Sequence, residues 1–158
     1  MKIAFGNDHA GYPLKADVLN VLKEAGVEVI DYGCQSTEPV DFPDIARRVC
    51  DDVRSGACDR GIMLCGTGVG ASIAANKIQG IRASVCHDIY SAHQCVEHDD
   101  VNVMCIGAQI IGSRVAKEMI ETFLKAEFST EEHFRRRVRK LRDIEEQSAM
   151  EIMKQKEA

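Results

Sequence analysis

The sequence predicts a three-layer α/β/α fold of Rossmann-like type, with a five-stranded parallel sheet and a long C-terminal helix. Short apolar strands alternate five times with helix-compatible stretches across 158 residues. The linkers are only a few residues long, the pattern of parallel strands joined by crossover helices. The third strand runs into a glycine-rich turn and then a small-residue helix, as phosphate-cradling turns of such folds do. The length fits one domain with a full core and leaves no room for a second.

Lys2 to Gly6 is the first strand, and Asn7-Asp8-His9-Ala10-Gly11 is the polar turn after it. A helix follows from Tyr12, with Pro13 tolerated in its first turn and Leu14, Val18, Val21 and Leu22 as its apolar stripe. Gly26 ends it. Val27 to Tyr32 is the second strand, closed by Gly33-Cys34, and Asp44 to Arg54 is the second helix after Asp41-Phe42-Pro43. Gly61 to Cys65 is the third strand, and its helix runs to about Ile78. Ala83 to His87 is the fourth strand, Ile89 to Val96 a short helix, Val101 to Gly107 the fifth strand, and Ser113 to Ala126 a helix.

Residues 1–128 thus form the α/β unit, and 129–158 a helical extension of the same domain. Ser129-Thr130-Glu131-Glu132 has the capping-box form, and the helix after it carries a narrow stripe of Phe134, Val138, Leu141 and Ile144 or Glu145. A long helix with a narrow stripe suits an oligomer interface. Its first half is basic, from Arg135, Arg136, Arg137, Arg139, Lys140 and Arg142. Such a run is either a solvated face or a set of guanidinium groups reaching a substrate phosphate or carboxylate.

Composition excludes several function classes. Net charge is -5, with 45% hydrophobic and 28% charged residues, so there is no global pull towards nucleic acid. Seven cysteines, at 34, 50, 58, 65, 86, 95 and 105, are odd in number and never spaced C-x-x-C. They read as reduced thiols in a cytoplasm, neither a disulfide framework nor a zinc knuckle. No apolar run approaches bilayer length and no signal peptide precedes Lys2, so no membrane association is expected.

The chemistry is concentrated at Ile62 to Lys77. Gly66, Gly68 and Gly70 allow successive N–H groups to converge on one anion, and Cys65 sits at the mouth of that cradle. A thiol there faces unpaired N–H groups and the positive end of the next helix, which favour its thiolate. A base beside an oxyanion cradle is the first reading. A dinucleotide site competes, since Gly66, Gly68 and Ala71 spell G-x-G-x-x-A with Asp88 downstream, but that fingerprint belongs after the first strand of its unit. A tight turn with a buried cysteine is the plainest alternative. Ligands of such sheets bind beyond the carboxyl ends of the strands, so Asp8, His9 and Cys65 share a cleft if the first and third strands are neighbours.

Taken together, Asp8-His9-Ala10-Gly11, Cys65 to Gly70 with Ala74-Ala75-Asn76-Lys77, Gly80-Ile81-Arg82-Ala83, and His98-Asp99-Asp100-Val101-Asn102-Val103 resemble the RpiB/LacA/LacB family of sugar-phosphate isomerases over about residues 1 to 140. The resemblance implies interconversion of an aldose phosphate with its ketose phosphate through an enediolate, without metal or cofactor. It implies a homodimer or homotetramer with sites at the subunit interface. By the same resemblance Cys65 is the proton-transfer base, Thr67 and His98 open the sugar ring, Asp8 and His9 hold substrate, and Gly66, Gly68, Val69 and Gly70 bind the enediolate oxygen. Ribose 5-phosphate is the simplest substrate. A tetrose, hexose, unphosphorylated or acidic sugar is the alternative, as is a non-catalytic sugar-binding subunit of a paired isomerase.

Several positions depart from the family pattern. His98-Asp99-Asp100 stands where His-Asn-Asp is usual, Gln109 falls where many members have a phosphate-binding arginine, and Phe42 stands where tyrosine is common. Thr130-Glu131-Glu132-His133 replaces Gly-Gly-Arg-His, with one residue more. Asp99, Arg135, Arg136 and Arg137 are therefore the candidate contacts for the distal end of the substrate.

Overall fold

The computed structural model describes residues 1–157. Five parallel strands, β1 (Lys2–Asn7), β2 (Glu28–Asp31), β3 (Arg60–Cys65), β4 (Ala83–Val85) and β5 (Val103–Gly107), form one sheet in the order β2-β1-β3-β5-β4. Six helices complete the chain: α1 (Tyr12–Glu24), α2 (Phe42–Ser55), α3 (Val69–Ala75), α4 (Ile89–Asp99), α5 (Ser113–Lys125) and α6 (Glu132–Glu157). The chain builds outward from β1 to β2, then returns to the other side of β1 for β3. That reversal puts a topological switch point between β1 and β3.

Alternation along the strands sends side chains into two separate cores. Ile3, Phe5, Ile62, Leu64, Met104 and Ile106 pack under α1, α4 and α5. Ala4, Met63, Cys65, Val103 and Cys105 pack under α2 and α3. The central strands are buried on both faces, so they read as unbroken apolar runs.

Element ends differ from the sequence expectation where side chains intervene. Helix α2 starts at Phe42 rather than Asp44, because Pro43 fits the first turn. Helix α3 stops at Ala75 rather than near Ile78. The Asn76 side chain turns away to pair with Ala83, donating to its carbonyl and accepting from its N–H, both at 2.8 Å. Strand β4 is three residues long, and β5 begins two residues late because Asn102 N–H donates to the Arg82 carbonyl. Helix α4 continues to Asp99 and is closed by Asp100 at φ 51°, with the Arg82 guanidinium on both its carbonyl (2.8 Å) and its carboxylate (2.6 Å). The capping box does not form. Ser129 Oγ accepts from Glu131 N–H, the helix begins at Glu132, and the Glu132 carboxylate pairs forward with Arg139.

Helix α6 is about 39 Å long at 1.5 Å per residue. It is seated at its start, where Val138 is buried and Phe134 stacks on His98 of α4 at 3.9 Å. Farther along, Leu141, Ile144, Met150, Ile152 and Met153 are exposed.

Candidate active site

The switch point brings together the strand ends that carry the sequence's most distinctive turns. Leu64 lies in register with Asn7, and Asp8 N–H donates to the Leu64 carbonyl at 3.1 Å. The turn after β1 therefore sits directly against the end of β3. Asp8 is 4% exposed and its Oδ1 accepts from Gly11 N–H at 2.8 Å, which leaves Oδ2 as its free oxygen. His9, half-buried, accepts a hydrogen bond at Nδ1 from Val40 N–H at 3.2 Å. A neutral ring engaged in this way carries its proton on Nε2.

Cys65 is the last residue of β3, 8% exposed. Its carbonyl accepts from Ala108 N–H, and the Gly66 carbonyl from Gln109 N–H at 3.0 Å, so the end of β5 braces the cradle. Gly68 has φ +78°, a conformation glycine adopts without strain, and a Cβ there would lie 3.2 Å from the Cys105 carbonyl oxygen. The Thr67 side chain is exposed above it. Gly70 faces the Phe42 ring, whose nearest carbon would be 2.9 Å from an added Cβ. His87, after β4, accepts from Gly107 N–H at 2.9 Å and so braces the β5 end from the other side. Burial pushes two other thiols up, Cys50 to about 12 and Cys105 well above its usual range, which disfavours their thiolates.

The remaining candidates lie elsewhere. Helix α4 runs back from the carboxyl end of β4, so His98 and Asp99 come out at the amino end of β5. Ser129 N–H donates to the Glu97 carbonyl, and Phe134 stacks on His98, so the start of α6 is at that end as well. Arg135 is engaged with the Ser129 carbonyl and the Phe128 ring, and Arg137 with the Phe134 ring. Arg136 is exposed. A groove of about 460 Å³ lies at this end, between α6 and the loop before β4, with Asp99 in its wall. One chain thus assembles Cys65, Thr67, Gly66 to Gly70, Asp8 and His9, and holds His98, Asp99 and the arginines a sheet-length away. Among the described residues no cluster of three His, Cys, Asp or Glu side chains is close enough to hold a metal, and no helix is long and apolar enough to cross a membrane.

The bond from Val40 N–H to His9, across 31 positions, had no local sequence signal. Gln109, a departure from the family pattern, packs its carboxamide against Gly66, with Oε1 3.0 Å from where a Cβ on Gly66 would be.

A model of the ribose/galactose isomerase family matches residues 3–141. The chain belongs to that family. Ribose-5-phosphate isomerase B of Escherichia coli K12 is 47% identical over 135 residues, 85% of this chain and 91% of that protein. D-erythrulose-4-phosphate isomerase of Pectobacterium atrosepticum is 42% identical over 130 residues, 81% and 85% of the two chains. Among solved structures, ribose-5-phosphate isomerase B of Clostridium thermocellum matches with a TM-score of 0.90 at 47% identity, covering 94% of this chain and 99% of that one. The Mycoplasma genitalium isomerase with bound ribulose-5-phosphate matches at 0.86 and 33%, covering 92% and 96%. As a family member the chain is an aldose–ketose isomerase, and the fold is the family's own.

Proposed function

We propose that this family member interconverts ribose 5-phosphate and ribulose 5-phosphate in the cytoplasm. Cys65 carries the proton between C2 and C1, and the N–H groups of Gly66 to Gly70 hold the enediolate oxygen. Asp8 Oδ2 accepts from a sugar hydroxyl, and His9 Nε2–H donates to a sugar oxygen. Thr67 and His98 open the ring. No metal or cofactor enters the scheme, since the charge that develops is a single oxyanion facing preorganised donors. Such a donor contributes on the order of 3 kcal/mol.

The observation that carries the reading is the juxtaposition at the β1/β3 switch point. A cysteine at a strand end, a glycine cradle with one residue at φ +78°, and the Asp8–His9 turn meet where Asp8 N–H bonds the Leu64 carbonyl. His98, Asp99 and the arginines complete it from a second copy of the chain, because the same copy holds them at the far end of the sheet. Relatives named for ribose 5-phosphate, at up to 47% identity, support the choice of sugar. A different sugar phosphate is favoured by one observation, the neutral Gln109 against Gly66, and by the relative named for erythrulose 4-phosphate.

Incubation with ribose 5-phosphate in D₂O tests this directly. Wild-type protein should wash deuterium into the first two carbons, and Cys65→Ala should lose turnover while keeping its circular dichroism and sugar binding. Exchange confined to a tetrose or hexose phosphate selects the second reading. Near-normal turnover in Cys65→Ala removes the cysteine from the mechanism.

A further inference from the structure

Lys15 is a buried lysine that the chemistry above does not use. Its side chain is 7% exposed, and an ammonium in such a place is tolerated only when paired and hydrogen-bonded. The pairing is complete: Nζ meets Asp31 Oδ2 at 2.8 Å and donates to the carbonyls of Cys34 (3.0 Å) and Gly33 (3.5 Å). Three donors meet three acceptors.

All three partners lie on β2 or just after it, whereas Lys15 belongs to α1, one turn beyond the corner that carries Asp8 and His9. Asn7 pins the same spot from β1. Its Nδ2 donates to the Cys34 carbonyl and the Asp8 carbonyl and lies 3.2 Å from Cys34 Sγ, while its own carbonyl accepts from Cys34 N–H. Gly33 has no room for a side chain, since a Cβ would fall 1.8 Å from Asn7 Oδ1. Residues 35–41 then run without helix or strand to α2. Near the end of that run, Val40 N–H meets His9 Nδ1. The segment is thus fastened to the β1–α1 corner at its start and returns to the same corner through His9.

We propose that Lys15 is a positioning residue for the isomerase. By fixing Gly33 and Cys34 it keeps Val40 N–H on His9 Nδ1, and so presents His9 Nε2–H as the donor to a sugar oxygen. Lys15 itself does not touch substrate. The proposal rests on the reading of His9 as a substrate contact.

The test is a double-mutant cycle between Lys15→Met and His9→Gln, with steady-state kinetics on ribose 5-phosphate. Lys15→Met keeps the apolar stem and deletes the ammonium. Its KM should rise about tenfold with kcat within about threefold, the pattern of lost ground-state binding. The double variant should show no higher KM than His9→Gln alone, because one residue acts through the other. In ¹⁵N spectra the His9 ring should move from a pure Nε2–H pattern towards a tautomer mixture. An unchanged KM in folded Lys15→Met, or KM effects that multiply in the double variant, overturns the proposal and leaves Lys15 a purely structural ion. If His9→Gln itself leaves KM unchanged, the site reading fails and the proposal with it. Should Lys15→Met not fold, Val40→Pro deletes the N–H at the other end of the segment. It should raise KM and mix the tautomers in the same way, and an unchanged KM and ring signal there overturns the proposal equally.

Discussion

Mixing two dead variants should restore activity. Cys65 is in register with Gly107 at the carboxyl end of β5, whereas His98 lies on the last turn of α4, before Val103 at the amino end. Four residue steps along β5 are about 13 Å at 3.3 Å per residue, while a group exchanging protons with substrate must come within about 3 Å or one water. A chain's own His98 therefore cannot serve its own Cys65. Cys65→Ala and His98→Asn should each be inactive alone. Random reassortment puts about half of the molecules into mixed dimers, each with one of two sites rebuilt from wild-type residues, so about one quarter of wild-type activity should return. The assay is ketose formation from ribose 5-phosphate, with mixed dimers counted by native mass spectrometry. Mixed dimers no more active than their parents would refute the shared site. Near-wild-type turnover in His98→Asn alone would remove that histidine from the reaction.

Three further outcomes follow from local geometry. Gly11→Ala puts a Cβ 2.4 Å from the Leu64 carbonyl oxygen, so it should cost about 2 kcal/mol, read as a fall in Tm of about 6 °C. Asp88 caps α4, and the Ser91 N–H and hydroxyl hold its carboxylate below the usual 3.8. Its stabilisation is present above that value and is lost as pH falls through the lower folded one. Asp88→Ala should therefore lower Tm at pH 7 and have progressively less effect in acid, as thermal melts across pH will show. The double variant Asp99→Asn with Gln109→Arg replaces a charge that repels phosphate and adds one that attracts it, so kcat/KM on ribose 5-phosphate should rise about tenfold. No gain means that the departures from the family pattern are tolerated.

The sheet was legible because β1, β3 and β5 are buried on both faces and spell continuous apolar runs. The layers followed from the crossover rule. Ends were less legible because they depend on partners far along the chain: Asn76 abandons α3 for Ala83, Arg82 locks Asp100 into the left-handed cap, and Ser129 bonds Glu131 instead of capping a helix. Half of the candidate site could be placed from the sequence because Asp8, His9 and Gly66 to Gly70 immediately follow strand ends and Cys65 closes one. Their meeting required only that β1 and β3 be neighbours. The position of His98 was not given by its motif. It depends on α4 running antiparallel to the strands and on one extra turn to Asp99 beyond the expected end at Val96. Lys15 carries no local signal, since a lysine in an amphipathic helix ordinarily points to water and its partners lie 16 or more positions away.

The pairing of Asn76 with Ala83 has a consequence for the molecule in a crowded solution. Strand β4 is the outermost strand on its side, and an open edge is a template on which another chain can add a strand. On so short a strand the outward backbone groups are few. The Asn76 amide takes both the N–H and the carbonyl of Ala83, and Ser84 Oγ donates to the Val85 carbonyl at 3.3 Å. One side chain thus occupies the place of a sixth strand and ends the sheet there. The sheet is thereby closed to a further strand at Ala83, which guards that edge against aggregation.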